Sequence, residues 1–399
     1  MSARLLGSHV YKLSDHYYNL TTHRRIPLDA DDRLLTEELC YHGQEHEAIK
    51  KALSIDSQDE PNNLHLIIIP TWRCNLRCSH CFVSHKLKKD GNNNVNIPHL
   101  IAFLTRFKER YKSVDNIAIS FIGGEPTLNP DLCLKIIEAV PQDLNVSYHM
   151  TTNGVMLDNK ILQLYHRLKD CLISLDGSEI THNKQRISLD GLDTYATVVQ
   201  NIRTLVAAGL RDKIMVQASL RSDLITNELG RQYYKTLLMA GVRLDKITIG
   251  QVTPNRITPE LHPMGRQTLN ENFFHRMCCK YRKMSNLVLD YDDSLYADYF
   301  ESVSASYIGK LTDEIAVLAQ RHNSIILDQI PVLNDDKCVK CPVVGACWGY
   351  CSNIHSHYKP SEICDQTYRH NKILTMAKNG TLTQMFDKGG DGVNRRAVS

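Results

Sequence analysis

Between residues 64 and 252 the chain alternates two patterns with little else between them, and this alternation narrows the fold more than any single motif. Short runs rich in β-branched and apolar residues predict six strands: "LHLIII" (64–69), "NIAISFI" (116–122), "NVSYHM" (145–150), "CLISL" (171–175), "KIMVQASL" (213–220) and "KITIGQV" (246–252). The stretches between them have helical period. In "IPHLIAFLTRFKERY", for example, Leu100, Phe103, Leu104 and Phe107 share one face. Asp131 and Asp158 stand where helix starts favour a carboxylate, and Gly209 and Gly241 where helices of this length end. Strict strand-helix alternation implies a parallel sheet with right-handed crossovers. Six units are too few to close an eight-stranded barrel, leaving a partial barrel or an open doubly wound sheet, with the chemistry at the carboxyl ends of the strands in either case.

The predicted strand ends carry unusual residues. "CNLRCSHC" (74–81) follows the first, "GGEP" (123–126) the second, "TTNG" (151–154) the third and "SLDG" (174–177) the fourth. A CxxxCxxC loop can place Cys74, Cys78 and Cys81 around one iron-sulfur centre, and a four-iron cube held by three thiolates keeps one iron for another ligand. Zinc completed by His80 or His85, or three incidental thiols, are the alternatives on spacing alone. Gly123 and Gly124 let a ligand approach the backbone closely, and Glu125 adds a carboxylate suited to a cation; a tight turn leading into Pro126 is the structural alternative.

Composition sets the setting for this chemistry. The 399 residues carry a formal charge of +3 with the basic residues scattered, which speaks against a nucleic-acid or membrane-surface binder. No stretch reads as a signal peptide or a bilayer-spanning segment, so a soluble cytoplasmic protein is expected. The 13 cysteines are then reduced thiols, and tight spacing among them points to metal or catalysis.

"CNLRCSHC" after the first strand together with "GGEP" after the second resembles the radical S-adenosylmethionine superfamily. The resemblance implies a [4Fe-4S] cluster on Cys74, Cys78 and Cys81, and S-adenosylmethionine held by its amino group at Gly123, Gly124 and Glu125. It further implies cofactor contacts from Ser174 and Asp176, which otherwise read as turn or cap residues, and from Arg186, which otherwise reads as a solvated loop residue. His80 stands where the family more often has an aromatic residue.

A second group of thiols lies in "CVKCPVVGACWGYC", with Cys364 beyond it. Its spacing favours metal, and four cysteines with His355 and His357 nearby leave zinc open. By resemblance it is the C-terminal half of a SPASM extension, implying one auxiliary [4Fe-4S] cluster on Cys338, Cys341, Cys347 and Cys364, with Cys351 spare or a swapped ligand. Residues 280–337 lack the cysteines of the full pattern, and Cys278 and Cys279 are adjacent on an expected helix, so a second auxiliary cluster is not expected. Cys40, Cys133 and Cys171 fall at apolar positions and read as core.

The fold expected is thus α/β: a partial (β/α)6 barrel at 62–270, preceded by an N-terminal extension (1–61). A bridging region (271–330), a SPASM-like cluster domain (331–375) and a polar tail (376–399) follow. In the extension, residues 9–29 suggest a hairpin and "DDRLLTEELC" a helix, resembling part of a peptide-recognition element or simply packing the barrel. "VLDYDDSLYADYF" in the bridge reads as a groove lining or an amphipathic helix. The function implied is maturation of a ribosomal precursor peptide by hydrogen abstraction and crosslinking, a carbon-carbon cyclophane among the products, with electrons from a flavodoxin- or ferredoxin-type donor. Formylglycine formation in a sulfatase, and a non-catalytic zinc scaffold, are the alternatives.

Overall fold

The computed structural model describes residues 4–5, 10–12, 16–19, 25–29, 61–81, 83–88, 91–220, 226–251, 284–297 and 306–328, with the single positions 337 and 375. The second thiol group (Cys338, Cys341, Cys347, Cys351, Cys364), Cys40, Cys278, Cys279, the expected helix at 31–40 and the tail lie outside the described residues. The chain divides into two units, one formed by residues 62–257 and 284–322, the other by residues 1–61, 258–283 and 323–399.

In the second of these, the short strands β1 (Arg4–Leu5), β2 (Val10–Lys12), β3 (His16–Asn19) and β4 (Arg25–Pro27) make a four-stranded sheet in sequence order. β2 and β3 pair antiparallel, as expected of the hairpin.

The larger unit holds the parallel sheet. Its strands are β5 (Asn63–Ile68), β7 (Asn116–Phe121), β8 (Val146–Thr152), β9 (Asp170–Ser174), β11 (Ile214–Leu220) and β12 (Ile247–Gln251), in the order β12-β11-β9-β8-β7-β5. Every neighbouring pair among these six is parallel, the outcome that strand-helix alternation demands. Between them come helices α1 (Ile97–Arg110), α2 (Pro130–Ala139), α3 (Asn159–Arg167), α4 (Glu179–Gln185), α5 (Tyr195–Leu205) and α6 (Asn227–Met239). The Asp158 side chain caps α3 by accepting from Ile161 N–H, and Asp131 lies in the first turn of α2.

The core follows from two periodicities. Leu64, Leu66 and Ile68 of β5 and Ile117, Ile119 and Phe121 of β7 alternate into the buried face. Leu100, Phe103, Leu104 and Phe107 of α1 and Ile161, Leu164 and Tyr165 of α3 are buried at helical spacing. Cys133 and Cys171 are buried too, as their apolar settings predicted.

The opposite face of the sheet carries a row of polar groups. His65 Nε2 meets Ser120 Oγ at 2.7 Å and its Nδ1 meets Asn286 Oδ1 at 3.3 Å, while His149 lies between Ser147 Oγ (3.1 Å) and Asp170 Oδ1 (2.6 Å). A one-residue slip of any strand would send these groups into the apolar layer, so the row also enforces register.

Three strands were not anticipated. β13 (Asn286–Leu289) extends the sheet parallel to β5, and β14 (Ser294–Tyr296) and β15 (Tyr307–Lys310) continue it antiparallel. Residues 286–296 of the bridging region are therefore strand and hairpin rather than amphipathic helix: "NLVL" has only apolar residues after Asn286, which suits an inner strand. A final helix, α7, spans Ile315–Asp328. None of the described helices is long and apolar enough to cross a membrane.

Candidate active site

The thiol loop leaves the carboxyl end of β5 and is bound on three sides. Trp72 is buried, and its Nε1–H donates to both oxygens of Asp290, each 3.0 Å away at the end of β13. Within the loop, residues Leu76–Cys78 form the short strand β6, which pairs antiparallel with β10 (Arg186–Ser188), so that Cys78 lies opposite Arg186. Cys74, Cys78 and Cys81 are partly exposed and none is in a disulfide. Burial pushes the Cys74 thiol up to about 12, with the Glu125 charge adding to the effect, and pushes the Cys78 thiol up to about 11 against the opposing pull of Arg186. Thiols so placed become thiolates when positive charge arrives to replace the proton.

The third side is the end of β7. Gly124 N–H donates to Thr71 O (3.0 Å) and Glu125 N–H to Arg73 O (2.8 Å), laying the "GGEP" backbone directly on the start of the thiol loop. A Cβ on Gly124 would fall on the Arg73 carbonyl, and one on Gly123 would lie 2.6 Å from Thr71 O. The paired glycines therefore serve backbone-to-backbone contact between two strand ends.

Glu125 is only 1% exposed. Its Oε1 accepts from Thr127 N–H (3.1 Å), Thr127 O–H (2.7 Å) and Thr152 O–H (2.6 Å), and its Oε2 from Asn153 N–H (2.7 Å). All four donors are neutral, and no lysine or arginine among the described residues pairs with it. Burial raises its carboxyl above the ordinary range despite these donors. A buried carboxylate with its hydrogen bonds made and no cationic partner is balanced either by a proton or by a bound cation.

Asp176, at the end of "SLDG", is fully buried and differently held. Oδ2 accepts from Arg186 Nε (2.7 Å) and Gln185 Nε2 (3.2 Å), and Oδ1 from Arg186 Nη2 (3.1 Å) and Ser219 N–H (2.8 Å). His80 Nε2 lies 3.6 Å from Oδ2. Arg186 is itself buried, contrary to a solvated-loop reading. Ser174 ends β9 beside Gln217 of β11, partly exposed.

All the candidate residues of the first 220 positions thus lie on one rim. The structure joins Cys78, Arg186, Asp176 and His80 into one group, and Cys74 and Glu125 into another. Sequence reasoning named "TTNG" without a role and missed Thr127, Thr152, Gln185, His182 and the Trp72–Asp290 pair. Only the position of "TTNG" at a strand end could have signalled its donors.

Comparison with known proteins bears on the same segment. Residues 68–219 match the model of the Radical SAM superfamily. These residues form a radical SAM domain. Among curated proteins, the chain is 28% identical over 156 residues to a cysteine-type anaerobic sulfatase-maturating enzyme of Clostridium novyi, covering 36% of the chain and 40% of that enzyme. It is 22% identical over 188 residues to the radical SAM cyclopropyl synthase TigE of Paramaledivibacter caminithermalis, covering 42% and 39%. The chain therefore spans well under half the length of these relatives.

Solved structures extend the likeness of fold. Native anSMEcpe with bound AdoMet superposes with TM-score 0.56 at 17% identity, covering 81% of this chain and 99% of that one. Streptococcus suis SuiB bound to precursor peptide SuiA gives TM-score 0.54 at 13% identity, covering 91% and 98%. The parallel sheet is accordingly the partial barrel of that fold.

The donor set fits the two groups that a radical SAM domain implies. Three thiols free of disulfides share one loop of that domain, and a buried anion without a cation stands on the neighbouring strand end.

Proposed function

We propose that the protein is a radical SAM peptide maturase. The observation that carries the reading is Glu125: a buried carboxylate with four neutral donors, on the same rim as three thiols. Cys74, Cys78 and Cys81 would hold a [4Fe-4S] cluster, and Glu125, beside Gly123 and Gly124, the ammonium of S-adenosylmethionine. Together these groups, with one electron from an external flavodoxin- or ferredoxin-type donor, would supply reductive cleavage of the sulfonium and hydrogen abstraction from the substrate. The chain's part is to bind and orient. Asp176 fixes the Arg186 guanidinium beside Cys78, and the positive charge there favours the thiolate over the thiol. Ser174 remains a candidate cofactor contact, and Cys338, Cys341, Cys347 and Cys364 the ligands of one auxiliary [4Fe-4S] cluster, with Cys351 spare or swapped.

The proposed substrate is a ribosomal precursor peptide, and the product a side-chain crosslink, with the carbon-carbon cyclophane proposed on the chain's overall likeness to short, SPASM-bearing peptide maturases. SuiB, bound to a precursor peptide, and anSMEcpe share the fold, which supports a peptide. The likeness to a sulfatase-maturating enzyme supports formylglycine formation as the second reading.

Anaerobic reconstitution tests the first step. Iron and sulfide for two four-iron clusters with reductant-dependent 5′-deoxyadenosine is expected; tightly held zinc with no cofactor cleavage would overturn it in favour of a zinc scaffold. Glu125→Gln should keep its iron and lose S-adenosylmethionine binding. Mass spectrometry of a co-expressed peptide then separates the products, since a crosslink removes two hydrogens and joins two residues, whereas formylglycine converts a single cysteine or serine.

A further inference from the structure

The "TTNG" turn at the end of β8 has no part in the function proposed so far, yet one of its residues touches both halves of the site. We propose that Asn153 is a positioning residue that sets the spacing between the thiol loop and the Glu125 carboxylate, and thereby the affinity for S-adenosylmethionine.

Asn153 is 7% exposed and makes three hydrogen bonds in three directions. Its backbone N–H donates to Glu125 Oε2 (2.7 Å). Its side-chain Nδ2 donates to Asn75 Oδ1 (2.7 Å), and Asn75 is the residue directly after Cys74. Its Oδ1 accepts from Val155 N–H (3.0 Å). The last bond fixes the sense of the bond to Asn75. A backbone N–H can only donate, so the Asn153 oxygen must face Val155 and its NH2 must face the loop, which obliges Asn75 to present its oxygen.

Both ends of the bridge are braced from outside. Asn201 of α5 donates through Nδ2 to Gly154 O and Val155 O, each at 2.9 Å, holding the turn, and Thr152 O–H contacts the same carboxylate. On the loop side, Asn75 O accepts from Leu189 N–H (3.1 Å), just past β10. Asn75 is therefore gripped by its carbonyl from one side and by its side chain from the other.

The consequence is a separation of roles that mutation can exploit. The bond to Glu125 comes from the backbone and survives any side-chain change. The bond to Asn75 comes from the side chain and does not. Removing the Asn153 side chain therefore releases the Asn75 side of the thiol loop from the turn, while the carboxylate's own donors and the backbone bonds of Gly124 and Glu125 to Thr71 and Arg73 stay in place. A ligand that must reach a cluster on the loop and Glu125 at once would then meet a loop anchored at Thr71 and Arg73 but looser beyond Cys74, and binding has to restore that order.

This inference rests on the reading of the rim as the S-adenosylmethionine site, so the test separates the two. Asn153→Ala, Asn75→Ala and the double variant are reconstituted beside the wild type. Iron and sulfide content, the midpoint of thermal unfolding, and S-adenosylmethionine affinity, read from the change it makes in the spectrum of the reduced cluster, are compared. Each single variant should keep its iron and unfolding midpoint and bind S-adenosylmethionine about 5- to 10-fold more weakly, the equivalent of one hydrogen bond. The double variant should be no weaker than either single, because both lose the same bond. Additive losses, unchanged affinity in both single variants, or a fall in iron content or midpoint matching the fall in affinity would overturn the proposal. A wild type that takes up no iron would instead overturn the reading on which it rests.

Discussion

Two carboxylates on the rim are buried to nearly the same degree, yet their surroundings give them opposite chemistry. Asp176 is met by a guanidinium fork, and its charge is neutralised within the protein. Glu125 is met by two threonine hydroxyls and two backbone N–H groups, all neutral. Burial of an ion is tolerated when a partner ion is buried with it, and is otherwise a standing demand for one. Asp176 needs nothing from outside and serves to hold Arg186 against the strand that carries Cys78. Glu125 has no such partner among the described residues, which is what the proposed ammonium site requires. Residues that a motif-level reading would group together as cofactor contacts are thus a finished pair and an unfinished one.

The contrast can be broken most forcefully at Arg186. Arg186→Met leaves Asp176 buried without its counter-ion and should cost about 3–5 kcal/mol of stability in urea unfolding of the unloaded chain. A cost near zero would mean that Asp176 is not dependent on its partner.

A second test uses pH. His182 lies under Asp176 with Nδ1 accepting from Asp176 N–H (3.1 Å), while Nε2 meets Thr194 Oγ1 at 3.1 Å, so the ring is held neutral with its proton on Nε2. Burial, helped by the nearby Arg186 charge, lowers its pKa from 6.5 to about 4. Because the unfolded chain binds this proton more readily, stability is full above pH 6.5 and is lost as pH falls towards 4, by about 3 kcal/mol. His182→Gln should flatten that slope. Glu125 contributes with the opposite sign: its carboxyl is raised, so its contribution is present at low pH and is lost as pH rises through the raised value. Comparing the unfolding of wild type and Glu125→Gln across pH should reveal a difference that changes in that direction.

Thr152→Val sharpens the comparison with the smallest expected effect on stability. It removes one of four donors to Glu125 and should cost about 1.5–3 kcal/mol, the range for a hydrogen bond to a charged group. It should also weaken S-adenosylmethionine binding, since a poorer anion holds an ammonium less well. Unchanged binding would mean that Glu125 is not the group that receives it.

How much of this was legible beforehand depends on the range of the interaction. The six strands and their helices follow from local periodicity, and "CNLRCSHC" and "GGEP" carry their residue types in plain sight. β13 to β15 did not declare themselves, because "NLVL" is too short for its period to distinguish strand from helix and its partner, β5, lies over two hundred positions away in the chain. The glycines of "GGEP" were legible as a close approach, but what approaches is the backbone of Thr71 to Arg73.

What the sequence by itself determined is the parallel α/β sheet, the single rim and the donor atoms available on it, because strand and helix periods and side-chain chemistry are local properties. Only the tertiary structure decided which buried carboxylate is met by a guanidinium and which by neutral donors alone. That depends on which side chains converge from separate strand ends, Arg186 on Asp176 and Thr127, Thr152 and Asn153 on Glu125, and chain folding alone brings them within hydrogen-bond reach.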